Sequence, residues 1–162
     1  MSTTRLGWSI AILTLLLDQV SKHWLVDIYD IAAKGPIRVT SWFDIVLVWN
    51  RGISYGLFQQ EHWLARVGFV ALAIGASVFC AVWMKRTTSR LVAAGLGLLI
   101  GGALGNAIDR AIHGAVIDFV SLHYGGFNWY IFNIADAAIV AAVAALLYDS
   151  LGSRRNPAGK SG

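Results

Sequence analysis

The sequence has 162 residues, of which 57% are hydrophobic and 14% are charged, and its formal net charge is +4. Soluble domains carry charge on about a quarter of their residues, so this composition excludes an ordinary soluble protein and indicates one membrane domain. Without a basic stripe or an extended polar surface, we expect no nucleic-acid binding. The single cysteine, Cys80, lies in an apolar run, and we expect no disulfide within the chain.

Four apolar stretches are long enough to cross a bilayer, which takes about 20 helical residues. They cover about residues 6–26, 64–84, 91–112 and 130–151. Basic residues crowd the link between the second and third stretches, precede the first and follow the last. Because basic residues favour the cytoplasmic side, both termini are predicted to be cytoplasmic. We expect one membrane domain over residues 1–152 and a polar cytoplasmic tail over residues 153–162.

The segment between the first two predicted helices has a different pattern. Polar and apolar residues alternate from Ile37 to Asp44, and a run rich in β-forming residues continues to Trp49. This period of two predicts strands, so we expect a small extracytoplasmic β-sheet over about residues 37–58. A short interfacial helix over about residues 59–66 is expected to lead into the second span.

The third predicted helix carries a row of small residues. Gly97, Gly101 and Gly105 are four residues apart, a spacing that lets another helix approach closely. The alanine-rich fourth helix is the natural partner, and packing the two helices would bring their outer ends together. The turn between them is predicted at Gly125-Gly126.

Two aspartates near these outer ends are the candidate catalytic groups. Asp118 follows the third helix, and Asp136 is expected about a turn and a half into the fourth, where an ionised side chain is costly. Two carboxylates held close together share a proton. The ionised one can accept a proton from water while the protonated one donates a hydrogen bond to the scissile carbonyl. The sequence therefore predicts an aspartyl protease at the outer membrane face, with water as nucleophile and no cofactor.

Other polar residues fall at helical spacing around this pair. Asn133 precedes Asp136 by three residues and is expected to share its helix face, as Asn106 shares a face with Arg110. The same spacing is compatible with a pair between Asp109 and its neighbour Arg110, and with Asp118 as a solvated loop residue.

Asp18 and Lys22 are four residues apart in the first helix. We expect an ion pair within this helix that also positions a neighbouring helix. The four histidines are scattered, without a His-Glu-x-x-His pattern or a ligand pair one turn apart, so no metal site is predicted.

Five segments together resemble the lipoprotein signal peptidase family, signal peptidase II. They are Leu17–Lys22, Asn50–Gly56, Gly101–Arg110, Val116–Phe119 and Phe132–Asp136, in the order in which the family has them. The family usually has Asn-x-Gly-Ala-Ala-Phe-Gly in the second segment, and this chain has Ile53-Ser54-Tyr55 in its middle.

The resemblance implies a four-helix aspartic endopeptidase of the bacterial inner membrane, with its active site at the outer face. Such an enzyme removes the signal peptide from diacylglyceryl-modified prolipoproteins by cutting before the lipidated cysteine. On this basis Asp118 and Asp136 are the catalytic pair. The substrate-binding residues are Asn50, Gly52, Asn106, Arg110 and Asn133, and the supporting residues are Asp18, Lys22 and Asp109. The expected partners are lipid-modified prolipoproteins, membrane lipid and inhibitors of the globomycin type, and we expect a monomer.

Two other functions place acidic residues in a membrane. A proton-coupled carrier would spread polar groups through the whole membrane depth, whereas here they concentrate in the outer half. A metal-dependent lipid headgroup transferase would need several carboxylates at ligand spacing, which the sequence does not have.

Overall fold

The fold consists mainly of helices with one small sheet beside them. The computed structural model describes residues 1–52 and 63–155. The helices are α1 (Thr3–His23), α2 (Ile31–Lys34), α3 (Trp63–Arg86), α4 (Arg90–His113) and α5 (Ile134–Arg155), and a π-helical turn, Trp24–Ile28, continues α1. The strands are β1 (Ile37–Arg38), β2 (Phe43–Asn50), β3 (Val116–Tyr124) and β4 (Phe127–Asn128).

Three of the described helices are long and apolar enough to cross a membrane: Trp63–Arg86, Arg90–His113 and Ile134–Gly152. The predicted class, a mostly helical membrane protein with a small sheet, is therefore confirmed. The predicted first span corresponds to α1, which is not one of these three and which contains the charged residues Asp18 and Lys22. The count of four spans stays a prediction.

The last helix begins later than its apolar run suggested. Residues 130–132 were predicted as helix, but they precede the helix, and Phe132 pairs with Val120 of β3. Asn133 caps α5, because its Oδ1 accepts a hydrogen bond from the Asp136 backbone at 2.8 Å. Asp136 consequently lies in the first turn of α5 rather than a turn and a half inside it, and Asn133 precedes the helix instead of sharing its face. At the other end, α5 continues to Arg155, into the predicted tail, and residues 156–162 lie outside the described residues.

The sheet is antiparallel, with strand order β1-β2-β3-β4. The predicted β region over 37–58 contributes β1 and β2, which are separated by a bend over residues 40–42. Residues 53–58 of that region and 59–62 of the predicted interfacial helix lie outside the described residues, and Trp63–Arg66 form the start of α3. The sequence did not predict β3, whose Asp118 pairs with Val48 of β2. The predicted turn at Gly125-Gly126 is confirmed, with positive φ at both glycines.

The glycine row of α4 contacts α1. A Cβ added to Gly101 would lie 2.5 Å from the carbonyl oxygen of Ala11, and one added to Gly105 would lie 2.5 Å from Oδ2 of Asp18. The predicted contact of this row with the last helix holds only for Gly105, whose added Cβ would lie 3.5 Å from Cβ of Ala135, and the row as a whole faces α1. Instead, α5 packs against Gly102, where an added Cβ would lie 2.6 Å from the Ala135 carbonyl oxygen. Successive helical residues point about 100° apart, so Gly101 and Gly102 face different neighbours.

Two apolar clusters hold these elements in place. One lies between α1, α3 and α4, and the other lies beneath the sheet. In the second cluster Leu25 of the π-helical turn and Ile31 of α2 pack against Ile117 and Phe119 of β3. These two β3 residues flank Asp118, so packing on the far side of the sheet fixes the strand that carries this aspartate.

Candidate active site

Asp118 is buried on β3, and both its carboxylate oxygens accept hydrogen bonds from amide side chains. Nδ2 of Asn133 donates to Oδ1 at 2.7 Å, and Nδ2 of Asn50 donates to Oδ2 at 2.9 Å. Asn50 ends β2, and the pairing of β2 with β3 brings it alongside the aspartate. Asp118 is 2% exposed, so the alternative of a solvated loop residue is wrong.

Asp136 approaches the same place from α5. Nδ2 of Asn106, on α4, donates a hydrogen bond to its Oδ1 at 2.8 Å. The side chain is only half-buried, and it lies in the first turn of α5, where the helix dipole stabilises negative charge.

Asn133 connects the two aspartates. Its Nδ2 donates to Asp118, its Oδ1 accepts from the backbone of Asp136, and the side chain has no exposed surface. The same Nδ2 also lies 3.1 Å from Oδ1 of Asn106. One buried amide therefore fixes the relative position of two acids that come from different elements.

Both aspartates line one cavity of about 630 Å³. The predicted residues Asn50, Gly52 and Arg110 line it too, whereas apolar residues of α5 form much of the remaining wall. Burial is the main reason that the pKa of Asp118 is raised to about 6, and the nearby charge of Asp136 raises it further, against hydrogen bonds from Asn50 and Asn133 that lower it. A carboxyl group with this pKa can hold or release a proton near neutral pH.

Arg110 brings a positive charge to the cavity. Its Nη1 lies 3.4 Å from the Asn106 carbonyl oxygen, and its guanidinium lies over the Phe69 ring, with 5.2 Å to the ring centroid. Its Nε is buried and has no hydrogen-bond partner within the described part of the chain. Arg110 does not pair with Asp109, so the alternative of a pair between these two neighbours is wrong.

Asp18, Lys22 and Asp109 form a buried ion cluster behind the site. Nζ of Lys22 lies 2.7 Å from Oδ2 of Asp18 and 2.7 Å from Oδ2 of Asp109. Asp18 also accepts a hydrogen bond from the backbone of Ala135 at 2.9 Å, and Asp109 accepts one from the backbone of Ile117 at 3.1 Å. The structure thus contains the predicted pair between Asp18 and Lys22, and this pair contacts a neighbouring helix.

Gln19 belongs to this cluster, and the sequence analysis did not single it out. Its Nε2 lies 3.0 Å from Oδ1 of Asp109 and 3.2 Å from the Gly105 carbonyl oxygen, which ties α1 to α4. The sequence did contain a signal for this role, because Gln19 is a polar residue next to Asp18 in a mostly apolar helix. Among the described residues, no three His, Cys, Asp or Glu side chains form a group that could hold a metal ion.

Comparisons with known proteins agree on one family. A family model described as signal peptidase (SPase) II matches residues 10–152. A lipoprotein signal peptidase of Methylorubrum extorquens is 54% identical over 151 residues, covering 93% of this chain and 88% of that protein. One of Nitrobacter hamburgensis is 50% identical over 165 residues, covering 99% of each.

Two solved structures of bacterial membrane enzymes are also similar. One has a TM-score of 0.82 and 24% identity, and the match covers 96% of this chain and 93% of that one. The other has a TM-score of 0.73 and 26% identity, covering 90% and 92%. Because the first structure is only 24% identical in sequence, its similarity shows the fold of this chain and not its activity.

Proposed function

The chain belongs to the signal peptidase II family, and we propose that Asp118 and Asp136 are its catalytic pair. It is an aspartic-type membrane protease that removes signal peptides from prolipoproteins. This assignment sets aside the carrier and the headgroup transferase. The observation that carries the proposal is Asn133: its side-chain amide donates to the Asp118 carboxylate and accepts from the backbone N–H of Asp136, and both aspartates line one cavity.

The two aspartates divide the proton transfers between them. Asp136, beside the helix N-terminus, accepts a proton from water, and the water oxygen attacks the scissile carbonyl carbon. Asp118 carries the shared proton and donates it to the developing oxyanion, as its raised pKa allows. As the C–N bond breaks, the proton on Asp136 passes to the leaving amine, and the hydroxyl formed from the carbonyl oxygen returns its proton to Asp118 as the C=O bond re-forms. Water and two carboxylates complete the reaction, so we propose that it needs no cofactor.

The cavity has a polar end and an apolar end, which suits the substrate. Asn50, Gly52 and Arg110 surround the aspartates, and Asn106 and Asn133 fix the carboxylates from behind. Away from them, the wall follows α5 through the small or apolar residues Ala137, Val140, Ala141 and Ala144. We propose that the signal segment packs along this wall, and that cleavage occurs before a cysteine carrying a diacylglyceryl group.

The proposed topology has four spans in the bacterial inner membrane, with cytoplasmic termini and the active site at the outer face. α1 supplies the fourth span. Its outward side is apolar, since Ile12, Leu13, Leu16 and Leu17 are all more than half exposed. Lipid contact would cover these side chains, whereas the buried Asp18 and Lys22 face the protein interior.

The test is turnover of a purified, lipidated prolipoprotein in detergent by Asp118→Asn and Asp136→Asn. Each nearly isosteric change should abolish cleavage, and the double variant should be hardly worse, because the carboxylates act as one unit. The control is Asp27→Asn, an exposed aspartate that contacts only His23 among the hydrogen bonds of the described residues. A globomycin-type inhibitor should compete with the substrate. Substantial activity in either single variant, or wild-type activity that a chelator removes and metal restores, would refute the mechanism.

A further inference from the structure

A second cavity lies on the outer sheet, away from the helices. Its volume is about 330 Å³, and it is lined by Trp42, Leu122, His123, Tyr124, Phe127 and Trp129. Two of the rings project into solvent, with Tyr124 83% and Phe127 63% exposed. The position of a dense aromatic surface beside the proposed catalytic cavity requires an explanation.

The second cavity adjoins the catalytic cavity, because Trp129 lines both. The chain from Phe127 to Phe132 runs back along β3 toward the aspartates. In this stretch Trp129 donates a backbone hydrogen bond to Leu122 at 2.9 Å, and Phe132 donates one to Val120 at 3.2 Å. Asp118, Leu122 and Tyr124 are separated by even numbers of residues on β3, so they point to the same face of the sheet.

Resting on the proposed function, we propose that this second cavity binds the mature part of the substrate, the polypeptide that follows the scissile bond. The signal segment and the acyl chains are apolar and stay at the level of the membrane, where the catalytic cavity follows α5. The polypeptide on the other side of the cut must leave outward, and the sheet is the element that borders that path.

The contact is made by side chains. From Val120 to His123, β3 is bonded on one side to β2 and Trp42 and on the other to β4, Trp129 and Phe132, so this part of its backbone offers no edge to which a substrate strand could add. The aromatic rings can instead stack on or enclose apolar and aromatic side chains of the substrate.

The length of β3 sets which substrate residues reach the second cavity. At about 3.3 Å per residue, Leu122 lies roughly 13 Å and Tyr124 roughly 20 Å along the strand from Asp118. An extended substrate chain covers the same distance per residue. The cavity is therefore expected to bind about the fourth to sixth residue after the scissile bond.

The first test uses two lipidated substrates that differ only at the fifth mature residue, phenylalanine in one and glycine in the other. The wild-type enzyme should prefer phenylalanine in kcat/KM by about five- to tenfold, as expected for one aromatic contact. The ratio of kcat/KM for the phenylalanine substrate to that for the glycine substrate should fall close to one in Phe127→Ala and rise again in Phe127→Leu. Tyr148→Ala removes an aromatic residue that is 74% exposed on α5, far along the chain from the sheet, and should keep the wild-type ratio.

The second test maps the contact directly. A benzophenone side chain at the fifth mature residue of a substrate, bound to the inactive Asp118→Asn variant, should crosslink to residues 122–129. The same probe at the twelfth mature residue should not.

The outcomes separate this inference from the proposed function. Failure of the wild-type enzyme to cleave either substrate would refute both. Cleavage of both without preference, or crosslinking elsewhere, would refute the substrate contact alone. An equal loss on both substrates in Phe127→Ala would instead assign the aromatic surface to contact with the bilayer, and would also refute the inference.

Discussion

Replacing Gly102 by alanine should lower the rate of cleavage much more than it lowers the stability of the protein. Gly102 is the point where α4 meets the N-terminal end of α5, and a Cβ there would lie 2.6 Å from the Ala135 carbonyl oxygen and 2.9 Å from Cγ1 of Ile139. Ile139 can change rotamer, but the backbone oxygen can move only if α5 moves with it. Ala135 directly precedes Asp136, so the displacement acts on a proposed catalytic residue.

The magnitudes decide which effect dominates. Cβ atoms essentially never approach another atom closer than 3.0 Å, so the contact must lengthen by at least about 0.4 Å. The 2.8 Å hydrogen bond from Asn106 to Asp136 spans the same two helices and would lengthen to a similar extent, toward the limit of a useful hydrogen bond. Overpacking costs about 1 to 3 kcal/mol. Alanine recovers about 1 kcal/mol through helix propensity, so the net loss of stability should be at most about 2 kcal/mol. A misplacement approaching 1 Å at a reacting group can cost up to about 100-fold in rate.

We therefore expect Gly102→Ala to reduce kcat by about 10- to 100-fold while its thermal unfolding stays close to that of the wild type. Gly95→Ala is the matched control, because it lies on the same pair of helices and its Cβ would meet nothing closer than 3.4 Å. This control should cleave lipidated prolipoprotein at the wild-type rate and be at least as stable. Wild-type turnover by Gly102→Ala, or an equal loss in the control, would show that this contact does not align the aspartates.

Three further predictions concern charge and topology. In the proposed mechanism Asp118 carries the proton, and because its pKa is about 6, kcat/KM should fall as pH rises above about 6. Asn50→Ala removes a hydrogen bond that lowers this pKa, so the alkaline limb should move to higher pH, and a shift to lower pH would contradict the assignment. Lys22→Met leaves two buried carboxylates without their cation, and thermal unfolding should report a loss of about 3 to 5 kcal/mol. A reporter active only outside the cytoplasm should work when fused after Gly125 and fail after Arg86, and the reverse pattern would refute the orientation.

The sequence was most informative where a polar residue interrupts an apolar run. Asp136, Asp18 and Lys22 were recognisable for this reason, since ionisable groups in such runs are costly and are kept for a use. The structure brings Asp136 into the same cavity wall as Asp118. The residues themselves led to the prediction of this pair, and the family resemblance added the substrate.

Long-range pairing could not be predicted from local pattern. The segment Val116–Phe119 lacks the alternation of polar and apolar residues that marks a strand with one exposed face, because all four of its residues are buried. Its partner β2 is more than 60 residues away in sequence, so no local pattern indicates the pairing. The glycine row had the same limitation. Small residues at Gly97, Gly101 and Gly105 indicate that some helix approaches closely, but the spacing does not say which helix. The tightest contact with α5 depends on Gly102, one residue out of that row.

The buried ion cluster is best explained by the geometry that it imposes. Buried ion pairs add little net stability, because the cost of removing charges from water offsets most of their attraction. Apolar side chains of similar volume could fill the same space. The cluster, however, bonds to two particular backbone amides: Asp18 holds the N–H of Ala135, and Asp109 holds the N–H of Ile117. Each of these residues directly precedes one member of the proposed catalytic pair, and Lys22 joins the two acids that hold them, at 2.7 Å from each. One ammonium group thus links the start of α5 to β3, although no covalent bond sets their relative position. This link fixes the spacing of the two aspartates that are proposed to share a proton.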